Sequence, residues 1–276
     1  MIVDSHHHFW DPGARTYPWM GPELNAIRRP FTPDDLAPIA AAAGVERTVL
    51  VQTVASIAET VEFLAIASRH PLIGGVVGWV DLTDSGVATT IDGLRLGEGG
   101  DKLVGVRHQV HDEPDPDWLR RDDVQRGLAA VEGASLVYDL LVRARELPAA
   151  HKAAKRHPGL RFVIDHAGKP RIADGARDPE WEAAMTAMAA LPNVTCKLSG
   201  LVTEAGWETW TPEQLEPYIR RVIDWFGPER CMFGSDWPVC LLAAGYSEVI
   251  ETIRKVAGED EDVFSRTAMR VYGLKS

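Results

Sequence analysis

The sequence predicts a (β/α)8 TIM barrel, and two observations support this prediction. Eight short apolar runs, many of them rich in β-branched residues, alternate with segments that carry helix signals along the 276 residues. Successive runs begin about 25 to 45 residues apart, which is the length that a βα unit needs. Eight units in this length favour a closed barrel over a doubly wound open sheet, because no Gly-rich dinucleotide turn follows the first run.

The elements follow one another in a regular order. Strands are predicted over residues 2–8, 47–53, 72–80, 103–108, 135–141, 160–166, 194–199 and 230–236. Helices are predicted over residues 32–43, 56–70, 83–96, 117–131, 143–156, 179–191 and 211–226, with one or two more within 247–272. Thr32, Ser56 and Thr211 are good N-caps, and Gly44 and Gly227 are typical helix ends. We expect one domain that spans residues 1–276.

The segment 11–32 interrupts this order. Its Pro and Gly density predicts a loop without regular structure. Trp10, Tyr17 and Trp19 lie in or next to it, and they either cover an active site or pack onto the barrel rim.

Composition narrows the classes of partner. The net charge of −11 argues against nucleic acids and anionic membranes, since both need clustered cations. Three cysteines without framework spacing, Cys196, Cys231 and Cys240, indicate reduced thiols in a cytoplasmic protein. We see no signal peptide and no apolar run of transmembrane length. The expected partner is a small molecule, and a homodimer is left open.

The first strand carries an unusual histidine cluster. If residues 2–8 alternate faces with a period of two, Asp4, His6 and His8 share one face. Imidazoles two residues apart can converge on one metal ion or one substrate. An expression-tag remnant is the alternative, but tags have longer His runs outside the fold.

Polar residues follow nearly every predicted strand. Active sites of such barrels lie at the carboxyl ends of the strands. The groups at those ends, besides His6 and His8, are Gln52, Trp79, Arg107, His108, Tyr138, Asp139, Asp165, His166, Lys197, Ser199, Asp236 and Trp237. Each of these can bind a metal, move a proton or hold a polar ligand, so the sequence predicts a catalytic barrel.

Five segments resemble one known family. They are DSHHHFWD at 4–11, GVRHQVHDEP at 105–114, DHAGKP at 165–170, CKLSG at 196–200 and FGSDWP at 233–238. Together they resemble the amidohydrolase superfamily, and within it the amidohydrolase 2 branch, which includes sugar-acid lactonases and 2-pyrone-4,6-dicarboxylate lactonase. The resemblance covers the whole chain in order.

The resemblance implies a hydrolase that opens a lactone ring, with His6, His8, His166 and Asp236 as the catalytic set. Asp236 is the expected general base for the attacking water. The predicted substrate-binding residues are Gln52, Trp79, Arg107, His108, Tyr138, Lys197 and Trp237. Because Arg107 and Lys197 are the only cations at strand ends, we expect a neutral sugar-acid lactone, such as an L-fucono- or L-rhamnono-lactone, rather than a dicarboxylate.

A metal ion is left open. Fuller members of the superfamily carry metal-bridging groups at strands four and five, where this chain has Arg107-His108 and Tyr138-Asp139. We therefore expect either no metal or one divalent ion, zinc, held by His6, His8 and Asp236.

Several side chains have two interpretations. Asp4 is expected to orient a histidine, and His111, His151 and His157 are expected to be solvated. Two further functions are kept: a metal-dependent decarboxylase of the same superfamily, and a catalytically silent barrel that binds a ligand.

Overall fold

Eight parallel strands form one sheet in the order β1 to β8 in a computed structural model that describes residues 1–173, 175 and 178–275. The strands are Ile2–His7, Val45–Val51, Ile73–Gly78, Leu103–His108, Val137–Leu140, Arg161–Ile164, Val194–Leu198 and Cys231–Phe233. A parallel bridge between His7 and Trp237 joins β1 to the chain after β8. The sheet therefore closes, and the predicted barrel is confirmed.

Helices cover the outside of the barrel. Within the described residues, α1 to α9 are Pro33–Ala42, Ile57–Arg69, Val87–Leu96, Asp122–Gly133, Leu147–Arg156, Pro179–Ala189, Pro212–Phe226, Tyr246–Ala257 and Thr267–Tyr272. Their ends follow the sequence signals. The Thr32 amide donates to the Asp35 carboxylate at 2.8 Å at the start of α1, and Gly227 ends α7 with φ 76°.

Some predicted bounds are wrong at their ends. α3 and α5 each begin four residues later than predicted, and the predicted helix 117–131 is a short 3-10 turn, Trp118–Arg120, followed by α4. β6 and β8 end earlier than predicted, at Ile164 and Phe233. The chain turns sharply after these two strands, and the turn takes His166 and Asp236 out of the strand conformation.

The barrel interior has an apolar lower layer. Val3, Val49, Val51, Val77, Val137, Val163 and Met232 form it together with the C-terminal segment that contains α9. Fully buried apolar side chains from most of the strands close this end, so any polar site must lie above it, toward the carboxyl ends.

A register shift in β1 corrects the predicted faces. Pairing between β1 and β2 shifts between Asp4 and His7, which breaks the period-two alternation. Val3 therefore faces the interior, while the Asp4 carboxylate accepts hydrogen bonds from Ser235 and from Tyr246 of α8. The expectation that Asp4 shares the face of His6 and His8 is wrong.

None of the helices in the described ranges is long and apolar enough to cross a bilayer.

Candidate active site

Two left-handed turns aim side chains at the open end of the barrel. His166 has φ 53° and Asp236 has φ 58°, and Ala167 and Lys169 share this conformation. Such backbone is costly for residues other than glycine, and it clusters at functional sites. It lifts the imidazole and the carboxylate above β6 and β8, toward the mouth of the barrel.

Two glycines make room for these side chains. A Cβ at Gly200 would lie 2.5 Å from His166 Nδ1, and a Cβ at Gly234 would lie 2.7 Å from the His6 Cβ. Real Cβ atoms do not approach that closely, so larger residues at these positions would displace His166 or His6.

Asp4 fastens the Asp236 turn to β1. Its carboxylate accepts from the Ser235 amide at 2.8 Å, the Ser235 hydroxyl at 2.6 Å and the His6 amide at 3.2 Å. The Asp236 amide in turn donates to the His6 carbonyl at 2.8 Å. Asp4 thus orients the site through the backbone, which agrees with its predicted supporting role.

Three imidazoles surround the Asp236 carboxylate. Its Oδ1 lies 3.4 Å from His8 Nε2, 3.8 Å from His6 Nε2 and 3.9 Å from His166 Nε2. The structure therefore brings the four predicted catalytic side chains together within a few ångströms. All four are buried, with 4% exposure or less.

The protonation states suit a base. Burial by itself raises the pKa of Asp236, but His166 and His8 outweigh burial and lower the pKa of this carboxyl. Burial lowers the pKa of His166 to about 4 and holds the pKa of His6 well below its usual range. At neutral pH the site holds an ionised Asp236 carboxylate beside the neutral imidazoles of His6 and His166.

His8 leaves a space for a cation. Its Nδ1 lies 2.8 Å from the Val51 carbonyl, which can only accept, so Nδ1 carries the proton. In neutral His8 the Nε2 is then an acceptor that faces another acceptor, Asp236 Oδ1, at 3.4 Å. Two facing acceptors need a shared proton or a metal ion between them.

The donor set fits one metal ion. A tetrahedral zinc with ligands at about 2.0–2.1 Å places its donor atoms about 3.3–3.5 Å apart. The Nε2 atoms of His6 and His8 are 3.2 Å apart, and they lie 3.8 and 3.4 Å from Asp236 Oδ1. Donor atoms of His6, His166 and Asp236 also lie within 4.8 Å of one another. The histidines and Asp236 thus form a group that could hold a metal ion.

A layer of paired charges lies directly below. We call Arg107, Asp139, Asp165 and Lys197 the interior charge layer. Lys197 Nζ lies 2.6 Å from Asp139 Oδ2 and 3.0 Å from Asp165 Oδ1, and Arg107 Nη1 lies 2.9 Å from Asp165 Oδ2. The four side chains are 0–3% exposed. Two cations balance two anions here, as burial requires.

The interior charge layer touches His6 on both ring nitrogens. Lys197 Nζ is 3.2 Å and Asp165 Oδ1 is 3.3 Å from Nδ1, while Arg107 Nη1 is 3.3 Å from Nε2. Burial raises the pKa of Asp165, but Lys197 and His6 outweigh it and hold this pKa well below its usual range. The layer therefore fixes the orientation of His6 and the charge around it.

A cavity of about 360 Å³ opens above these groups. His8, Arg107, His166 and Asp236 line its floor. Loop residues form its walls: Trp19, Leu24, Thr53, Gln109, His111, Asp112, Leu141, Arg143, Lys169, Thr203, Glu204, Trp207, Val239 and Leu242. The volume suits a small-molecule ligand. Trp19 places the segment 11–32 over the site, and its indole donates to the Thr53 carbonyl at 3.0 Å. Pro22–Ile27 in this segment is a 3-10 helix, so the prediction of no regular structure is wrong there.

Of the seven predicted substrate-binding residues, Arg107 alone is among the residues that line this cavity. Two others support it from within the barrel. Gln52 accepts from Arg107 Nε at 2.9 Å, and Lys197 lies in the interior charge layer. Both are fully buried, and neither is among the residues that line the cavity.

The other four predicted binding residues lie outside the cavity. His108 points away from the axis, where it stacks on Trp118 at 4.3 Å and accepts from the Trp79 indole at 3.0 Å. Tyr138 packs against Phe162 on the outer face of the sheet. Trp237 packs against Phe9 and Phe31. Strand alternation explains the positions of His108 and Tyr138, because their neighbours Arg107 and Asp139 point inward.

Sequence reasoning missed several polar groups of the walls. His111, expected to be solvated, lines the cavity, and burial lowers its pKa to about 3. His157 is also buried, between Glu132 and Gln125. Lys169 and Glu204 form an ion pair at the cavity wall. For His111, Lys169 and Glu204, the available signal was their place in the loops that follow β4, β6 and β7.

Comparisons with known proteins agree with this geometry. A family model described as Amidohydrolase matches residues 3–274. An L-fucono-1,5-lactonase from Burkholderia multivorans is 41% identical over 99% of this chain and 96% of its own. A second L-fucono-1,5-lactonase, from Burkholderia ambifaria, is 44% identical over 89% of this chain and 83% of its own. A solved structure of an amidohydrolase from Burkholderia multivorans with bound zinc is 39% identical, with a TM-score of 0.93 over 100% of both chains.

Proposed function

The chain belongs to the amidohydrolase family, and from this premise we propose that it is a lactonase that hydrolyses a sugar-acid lactone. The two L-fucono-1,5-lactonases that it resembles make L-fucono-1,5-lactone the first candidate substrate. The observation that carries the proposal is the ionised Asp236 carboxylate, which lies at the floor of the cavity within 4 Å of three histidines.

Asp236 acts as the general base. Its lowered pKa keeps the carboxylate ionised at neutral pH, and its side chain lines the cavity where a water can sit beside the lactone carbonyl. The carboxylate takes one proton from this water while the water oxygen bonds to the carbonyl carbon. The carbonyl π electrons move to the carbonyl oxygen, which becomes an oxyanion.

Arg107 stabilises that oxyanion. Its guanidinium is permanently charged, lines the cavity floor and is held in place by Gln52 and Asp165. A hydrogen-bond donor that is already fixed in place stabilises the oxyanion more than water does, because water molecules would have to reorient during the reaction.

Ring opening returns the proton. The oxyanion re-forms the carbonyl, the bond between this carbon and the ring oxygen breaks, and the ring oxygen takes the proton from Asp236. The product is a hydroxy acid, which ionises at neutral pH. Each turnover therefore consumes one water and releases one proton to solution.

The metal is a separate part of the proposal. His6, His8, His166 and Asp236 supply the donors for one zinc ion, which when bound would polarise the carbonyl and lower the pKa of a bound water. Elemental analysis after dialysis against zinc should find one equivalent in the wild type and a clear loss in His8→Asn. Equal zinc in both proteins would rule out this donor set.

A lactone panel tests the activity. Aldono-1,4- and 1,5-lactones are added to micromolar enzyme in weak buffer with a pH indicator, and spontaneous opening is subtracted with an enzyme-free blank. We expect acid release to be fastest with a 6-deoxy-hexono-lactone. No release above the blank from any sugar lactone would refute the function.

A further inference from the structure

The cavity wall carries a partly buried ion pair that has no role in the proposed catalytic steps. Lys169 Nζ contacts Glu204 Oε1, and we call these two residues the rim pair. Lys169 follows the His166 turn, and Glu204 lies in a short turn, Val202–Glu204, after β7. Both side chains line the same cavity as Asp236.

The rim pair is buried more deeply than a surface ion pair. Lys169 is 15% exposed and Glu204 is 12% exposed. Desolvation of two charges is costly unless further polar partners are supplied. Glu204 has one, because Arg143 Nη1 lies 3.2 Å from its Oε2. The Lys169 ammonium has three N–H groups that can donate, and within the part of the chain that the structure describes it donates to Glu204.

The rest of the wall has an apolar part. Trp19, Leu24, Trp207, Val239 and Leu242 contribute to it. The polar wall residues besides the rim pair include Gln109, Asp112, Arg143 and Thr203, so a ligand meets polar groups at the floor, at the rim pair and at these positions.

We propose that the rim pair binds neighbouring hydroxyl groups of the lactone and so makes the enzyme select hydroxylated lactones over unsubstituted ones. This inference rests on the proposed lactonase function. A sugar hydroxyl both donates and accepts, and an ammonium beside a carboxylate offers the matching pair of groups. Lys169 Nζ donates to one hydroxyl oxygen, and a free lone pair of Glu204 accepts from the next hydroxyl.

The pair also explains why an uncharged ligand suits the site. Lys169 is compensated by Glu204, so the pair adds no net charge to the wall. A neutral polyol gains charge-assisted hydrogen bonds from it without carrying a charge of its own. An unsubstituted lactone offers no acceptor hydroxyl to the donors of Lys169 that Glu204 does not use, which is unfavourable in a partly buried site.

The experiment compares two six-membered lactones. L-fucono-1,5-lactone carries ring hydroxyls, and δ-valerolactone has none. We measure kcat/KM for both with the wild type, Glu204→Gln, Lys169→Met and the control Glu208→Gln, whose side chain is exposed in the same loop. Thermal melting of each variant checks that it is folded, and Lys169→Met carries the test if Glu204→Gln does not fold.

We expect the wild type to prefer L-fucono-1,5-lactone, and each rim-pair variant to lose this preference by about tenfold or more, since a hydrogen bond to a charged group contributes about 1.5–3 kcal/mol. The loss should fall mainly in KM, and Glu208→Gln should keep the wild-type ratio. A ratio that stays constant in both rim-pair variants overturns the inference alone. A wild type that hydrolyses neither these lactones nor any sugar lactone of the panel overturns the proposed function as well.

Discussion

The interior charge layer is buried and the rim pair is partly buried, and different parts of the fold hold them. Strands supply Arg107, Asp139 and Lys197, and Asp165 follows β6 directly, so their positions follow from the barrel geometry. Lys169 and Glu204 come from two loops whose lengths the barrel does not fix. The barrel therefore positions the groups at the floor of the cavity, while the loops supply the groups of its walls.

Loss of Lys197 should have the largest effect on stability. Lys197→Met leaves Asp139 and Asp165 buried without the cation between them. Removing one partner of a buried ion pair costs about 3–5 kcal/mol in the free energy of unfolding. Urea denaturation of the variant beside Lys152→Met, whose lysine is exposed on α5, measures this. Equal urea midpoints for the two variants would show that the charge of Lys197 does not stabilise the folded protein.

A conservative change at Arg107 should mainly affect catalysis. Arg107→Lys keeps the positive charge but loses the planar guanidinium, whose nitrogens donate to Gln52 and Asp165. We expect kcat to fall by about a hundredfold, which is typical for the loss of one oxyanion donor. Steady-state kinetics on L-fucono-1,5-lactone measure this fall. An unchanged kcat with a raised KM would instead make Arg107 a ground-state binding residue.

Loss of Arg143, which contacts the rim pair, should destabilise the protein less than loss of Lys197 in the interior charge layer. Arg143 is 50% exposed where it meets Glu204, so solvent screens this contact. Arg143→Ala should lower the free energy of unfolding by less than about 1 kcal/mol, as for most exposed ion pairs. The same urea titration used for Lys197→Met measures the difference. A loss as large as that of Lys197→Met would remove the distinction between the two regions.

The sequence predicts the barrel well because alternation of strands and helices is a local signal. Because strand ends converge in this fold, the sequence also places His6, His8, His166 and Asp236 at one end of the barrel, and the family resemblance singles them out as one group. Side-chain direction is less predictable. The register shift in β1 turns Asp4 away from the site, and nothing in its local sequence indicates that shift.

The walls of the cavity could not be predicted, for a physical reason. Lys169 and Glu204 are 35 residues apart and meet only because two loops fold toward each other. His111 lines the cavity for the same reason, and its neighbours Val110 and Asp112 form no pattern that indicates this position. Loop packing depends on contacts that are distant in the chain, so a local pattern cannot indicate it.

The central claim is that Asp236 is the base of a lactone hydrolysis. Proton release from L-fucono-1,5-lactone by the wild type and by Asp236→Asn, each corrected for an enzyme-free blank, tests it most directly. Circular dichroism confirms that both proteins are folded. We expect one proton per lactone from the wild type, and a rate lower by about a hundredfold to ten-thousandfold in Asp236→Asn, because general base catalysis contributes that much. Equal rates in the two proteins would contradict the account.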